Sequence, residues 1–143
     1  MKLRECFERR LLRKESPDLD RSKRSIEIAE TKLIEAEKAL KYEIFDATII
    51  LAYTSMFHAA RSILFRDGIV EKSHVCLSEY LKNMYVNTGK LSEASVNALD
   101  NLRIDRHETI YGLETKSTRK EAEFSVAKAK EFLETLKTLT ESK

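Results

Sequence analysis

The stretch EIFDATIILAYTSMFHAARSILFRDG, residues 43–68, decides the fold of this chain. Phe45, Ile49, Ala52, Met56, Ala59 and Ile63 follow one another at steps of three and four, which lines one side of a helix. Ile44, Leu51, Phe57 and Leu64 lay a second apolar stripe beside the first. A helix apolar on most sides is buried on most sides, so the pattern predicts a central helix over about residues 43–66. Gly68 is expected to close it, because glycine enters the left-handed conformation without a Cβ clash.

Both flanks read as helices that cover this one. Before it, Ile26, Ala29, Leu33, Ala36 and Leu40 line one face of a helix ending near residue 41, with Glu and Lys opposite, including the Glu37–Lys41 pair. Its start is read at Ser16, as N-cap, with Pro17 at the first helical position and Asp18 and Asp20 in the first turn. Leu3, Phe7 and Leu11 predict a short helix over residues 3–14. After the central helix, Ser73 is expected to cap a fourth, with Leu77, Tyr80, Leu81 and Met84 inward and NTG at 87–89 as its end. A fifth covers about 91–112, with Leu91, Ala98, Leu99, Leu102 and Ile110 on one side. Following GLETKST, Thr118 and Glu121 make a capping box for a last helix carrying Ala122, Val126, Ala129, Leu133 and Leu136 to about residue 140. No stretch alternates with period two for long enough to argue a strand. The expected fold is all-α: an antiparallel up-and-down helical bundle of four long helices plus a short N-terminal helix. It forms a single domain over 1–143, with a basic helix in 1–15 and the bundle in 17–141.

Composition agrees. Charged residues make up 35% and apolar ones 42%, with 3 Gly and 1 Pro, too few turn formers for a sandwich or barrel. The net charge of +2 makes no global case for nucleic acid. Arg9, Arg10, Arg13, Lys14, Arg21, Lys23 and Arg24 crowd near the start, either as a phosphate-binding patch or, by the general rule for charge runs, as a solvated helix end. Cys6 and Cys76 form no CxxC and no zinc-like cluster; they read as free thiols in a reducing compartment. MKLRECFERR is charged throughout, so no cleaved leader is expected, and the apolar runs fall short of the roughly 18 residues that cross a bilayer. The expectation is a cytoplasmic protein with no membrane partner.

Candidate chemistry centres on RHETIY, residues 106–111. Arg106 falls on or beside the stripe of Leu99, Leu102 and Ile110, where a guanidinium needs a ligand or an acidic partner such as Asp46. His107 stands in a row with Arg103 and Tyr111 at steps of four. Thr54, His58 and Arg61 interrupt the apolar central helix and need hydrogen bonds, from an internal network or from a ligand. His74 beside Ser73 opens the fourth helix, whose dipole inclines it to be neutral. The chain has no glycine-rich phosphate loop, no GxSxG, no HExxH and no carboxylate-plus-ExxH set, so neither metal nor cofactor is expected.

YTSMFHAARSILFRDG (53–68), KSH (72–74), TGKL (88–91) and RHETIYG (106–112) together resemble HEPN-domain proteins, in particular a small stand-alone branch. That branch carries an A-Y-x-A-M-F-H-A-A-R run in its central helix, matched here by Ala52, Tyr53, Met56, Phe57, His58, Ala59, Ala60 and Arg61. The resemblance spans about residues 20–138. It implies a bundle that is commonly a homodimer, related to the helical domain of some nucleotidyltransferases. Many members are metal-independent RNases, often toxins beside a minimal nucleotidyltransferase partner in toxin–antitoxin systems. Carried onto this chain, the catalytic motif implies Arg106, with His107 as its polar neighbour and Tyr111 where the closing histidine belongs. Imidazole titrates near neutrality and can move protons, whereas a phenol with pKa about 10 is a poor base at pH 7. The expected function is therefore binding of RNA or nucleotide, or partnership with a minimal nucleotidyltransferase, with Arg103, Arg106, His58, Arg61 and His74 as binding residues. One alternative is a metal-independent endoribonuclease using Arg106 and a nearby histidine. Another is a non-catalytic protein-interaction module.

Overall fold

A computed structural model describes residues 1–112 and 116–141. Among them the chain forms α1 (Leu3–Glu8), β1 (Leu12–Lys14), α2 (Leu19–Lys41), α3 (Phe45–Asp67), β2 (Ile69–Glu71), α4 (His74–Leu81), a π-helical turn (Lys82–Val86), α5 (Glu93–Tyr111) and α6 (Arg119–Glu141). Four long helices carry the bundle, as the apolar periodicity requires. Local caps explain the agreement: Ser73 accepts from Cys76 N, Thr118 and Glu121 bond reciprocally, and Gly68 closes α3 at φ 78.

The core sits around α3, which packs against α2, α5 and α6. Ala52, Met56, Ala59, Ala60 and Ile63 are fully enclosed. Serine hydroxyls set the α2–α3 register: Ser22 donates to the Ser62 carbonyl and Ser55 to the Ala29 carbonyl. One partner number rises as the other falls, so the two helices run antiparallel. By length and composition α3 is the one described helix able to cross a bilayer, and most of it lies buried inside the bundle.

Several local expectations are corrected. α1 ends at Glu8, and Leu12–Lys14 pairs antiparallel with Ile69–Glu71, a small sheet that the period-two test missed because each strand has only three residues. Helix α2 begins after Asp18, whose carboxylate caps Arg21 N; Ser16 and Pro17 stay outside it. The cause is tertiary: Glu15 N–H bonds the Gly68 carbonyl and Asp18 N–H bonds the Phe65 carbonyl, which draws the segment out along the end of α3. Met84 and Ile110, expected inside, are exposed. Cys6 and Cys76 are not free thiols. They form a disulfide that ties α1 to α4 with Cα atoms 5.8 Å apart, and the cysteine argument for a reducing compartment goes with that reading.

The π-helical turn has an identifiable use. Tyr80 and Tyr85 are five residues apart and would diverge by about 140° on a regular helix. The widened turn instead brings both hydroxyls onto one acceptor, Asp67 Oδ2, at 2.8 and 2.6 Å. Burial and the carboxylate push both phenols upward, Tyr85 to about 12, so both remain donors at neutral pH.

Gly68 joins α3 to the sheet with little room. A Cβ there would meet the Glu15 carbonyl and Pro17, and its φ lies in the left-handed region. We expect Gly68→Ala to lower unfolding free energy by about 2 kcal/mol, read from urea midpoints. An unchanged midpoint would show that the junction relaxes freely.

Candidate functional site

Helix α5 brings Arg103 and Arg106 to one side, three residues apart. They meet His74, the first residue of α4, across a cleft of about 460 Å³ that Ile104 and His107 also line. The Nε of Arg103 and of Arg106 are both buried without a hydrogen-bond partner among the described residues. Asp100 is a distant partner for Arg103, at 4.0 Å, and is more closely held by Lys82 at 3.0 Å. Arg106 does not pair with Asp46, which instead accepts from Ser117 N. Its guanidinium rests over the Tyr53 ring, 5.1 Å from the centroid. Such a pair of cations, with donor capacity left over, is suited to an oxyanion with several acceptors, a phosphate above all.

His74 is held from two sides. Its Nδ1 lies 2.6 Å from the Tyr53 hydroxyl, and its ring stacks on Phe57 at 4.2 Å. Burial first, then Arg106, Arg103 and Arg61, lower its pKa, so the ring is neutral at pH 7. His107 is exposed, one step further round α5, as expected from the turn of about 100° per residue. Arg106 and His107 nevertheless line the same cleft. Tyr111 is 67% exposed and packs on His107 at 4.7 Å without lining the cleft.

His58 and Arg61 do not line the cleft. Arg61 binds Glu71 at 2.8 Å and lies over the Phe57 and Phe65 rings, the first of which stacks on His74. His58 meets the edge of Phe57, and its buried Nδ1 has no hydrogen-bond partner among the described residues. Desolvation, then Arg61 and Lys32, lower its pKa. Much of the basic N-terminal cluster is engaged by neighbouring carboxylates: Arg9 with Glu5, Arg13 with Glu15, Arg21 with Asp18 and Arg24 with Asp20. Among the described residues, no His, Cys, Asp and Glu group is arranged to hold a metal ion.

The residues that sequence reasoning passed over are Tyr53, Phe57 and Glu71. Tyr53 sits within the apolar helix, twenty-one residues before the histidine it bonds, and no spacing rule links the two. Only the presence of a hydroxyl among buried apolar side chains signals a partner.

The two depressed histidines couple the site to pH. Folded pKa values below the unfolded value of about 6.5 mean that the unfolded chain takes up protons first. Their contribution to stability is complete above that pH and is lost as pH falls through the folded values. We expect a lower urea midpoint at pH 5.5 than at pH 7.5, with a smaller difference in His74→Gln. Equal midpoints in the wild type would mean that neither imidazole is held neutral.

Comparison with curated proteins finds no match. The HEPN domain profile matches residues 22–139, from the first turns of α2 to the end of α6, and the chain belongs to the HEPN-domain family.

Proposed function

We propose that this protein binds RNA or nucleotide phosphates in the α4–α5 cleft, with little or no catalysis of its own. The observation that carries this reading is the pair of guanidinium Nε atoms, Arg103 and Arg106, left unpartnered beside one cleft with the neutral His74 opposite. The same two side chains line the cleft, where an oxyanion can accept from a guanidinium. Partnership with a minimal nucleotidyltransferase, in a toxin–antitoxin pair, is compatible with the same cleft and with membership of the family. Fluorescence anisotropy with a labelled single-stranded RNA tests the reading. Affinity falls steeply with added salt if phosphates are neutralised here, since released counterions drive such binding. No RNA or nucleotide binding at low salt would leave the protein-interaction reading in its place.

A homodimer is part of the proposal. Much of the apolar surface of α3 is consumed within one chain. On α5, by contrast, Ile104, Ile110 and Tyr111 leave apolar surface in solvent near the cleft. A two-fold contact through α5 would bring two clefts together and concentrate positive potential. Sedimentation at micromolar concentration checks it; a monomer there counts against the dimer.

The RNase reading is favoured by one observation: His107 lines the same cleft as Arg106. Against it, Tyr111 occupies the position of the expected base. With single-stranded RNA in EDTA, we expect the wild type to be weak or inactive and Tyr111→His to gain cleavage that Arg106→Ala abolishes. Strong wild-type cleavage that disappears in His107→Ala would make His107 the base and reverse the ordering.

A further inference from the structure

Tyr53 and His74 meet through one short hydrogen bond, and its direction is determined by the surroundings. Tyr53 is 2% exposed, and among the described residues its hydroxyl has no other hydrogen-bond partner. If His74 Nδ1–H were the donor, the buried phenolic proton would have no acceptor, which folded interiors avoid. Burial raises the phenol pKa far above neutrality despite the opposing Arg106 and Arg103, so the hydroxyl keeps its proton. The O–H therefore donates and Nδ1 accepts. In a neutral imidazole the remaining proton is then on Nε2.

The ring is also held in place. Phe57 stacks on one face of His74, and Arg61 lies over Phe57 while bound to Glu71. Turning the imidazole over would break the bond to Tyr53. The charges around it work in the same sense. Arg61 from α3 and Arg103 and Arg106 from α5 oppose its protonation. The carboxylates that act on Tyr53 are bound elsewhere, Glu71 by Arg61 and Asp100 by Lys82.

We infer that Tyr53 is a positioning residue that holds His74 as the Nε2–H tautomer, so that His74 offers the cleft a neutral N–H donor for a phosphoryl oxygen and is unavailable as a general base. The donor role rests on the phosphate-binding reading above; the tautomer does not. The bond thus assigns different work to residues that a motif would group together. The two arginines supply charge, and His74 supplies a directed hydrogen bond without adding a third cation.

The test has two independent readouts. Imidazole ¹⁵N NMR of the free protein at pH 7 reads the tautomer directly, and a short fluorescein-labelled oligouridylate reads binding. We expect His74 to show protonated Nε2 and unprotonated Nδ1. Tyr53→Phe, checked for a native thermal transition, should give mixed tautomers and weaker binding, with the salt slope unchanged because no charge is removed. His74→Gln should bind more tightly than His74→Ala, since its amide N–H can partly replace Nε2–H. His74→Ala should lose about tenfold, as expected for a hydrogen bond to a charged group. His74 protonated on Nδ1, or cationic at pH 7, would overturn the inference. A Tyr53→Phe variant with unchanged tautomer would remove Tyr53 from its positioning role. Absence of oligouridylate binding in the wild type would overturn the donor role and the phosphate-binding reading together, while the NMR result would still decide what Tyr53 does to His74.

Discussion

Arg103→Ala combined with Arg106→Ala is expected to weaken RNA binding by about a hundredfold at moderate salt. Each guanidinium bonded to a phosphate contributes roughly 1.5–3 kcal/mol, and two losses at the lower end of that range give about a hundredfold. The plot of log affinity against log salt should flatten by about two units, one for each lost contact. Arg106→Ala alone should cost more than Arg103→Ala. Among the described residues Arg106 has no acidic partner and lies over the buried Tyr53 ring, whereas Arg103 retains a long contact with Asp100. Losing positive charge from the basic N-terminal segment provides the contrast. Arg9 and Arg24 already have carboxylate neighbours, so Arg9→Ala with Arg24→Ala should change affinity little. The reverse result, strong loss from the N-terminal pair and none from the cleft pair, would move the site to the N-terminus.

Reduction of the Cys6–Cys76 disulfide should produce the largest change in stability. The bridge closes a loop spanning 70 residues, and the chain-entropy model assigns such a cross-link about 4 kcal/mol. Measured losses of 2–5 kcal/mol are common for native bridges. Cys6→Ser with Cys76→Ser should show the loss without a reductant. The effect should have a location as well as a size. α1 has six residues and is held through Cys6, while β1 is held by its pairing to β2. Freeing α1 should raise amide exchange across Leu12–Lys14 and Ile69–Glu71 before it affects α3. Uniform loss of protection throughout the chain, or no change in midpoint, would contradict this picture. Because β2 carries Glu71 and leads into His74, the same measurement reports whether the N-terminal arm steadies the cleft.

The long helices of this protein are legible in its sequence for a local reason. Apolar residues at steps of three and four must share a face, and caps act within a few residues of the helix they end. The spans around Met56, Leu33 and Leu133, the left-handed Gly68, the Ser73 cap and the Thr118–Glu121 box all follow from contacts of that short range. So does the half-burial of Arg106 with His107 turned toward solvent. The same local reading fails where a distant segment competes. Ser16 and Pro17 have the chemistry of a helix start, yet bonds to Gly68 and Phe65 hold the chain extended until Asp18. Ile110 continues a helical stripe, but the core ends before it, and only the placement of neighbouring helices determines where that happens. The cleft depends on the same level of structure. Tyr53, His74 and Arg106 lie on three helices and have no periodic relation along the chain. The two cysteines face each other only because α1 folds against α4. Periodicity therefore determined which side of each helix is buried. Which polar residues converge, and what each one does there, was decided by long-range packing, because contacts between distant segments leave no repeat in the sequence.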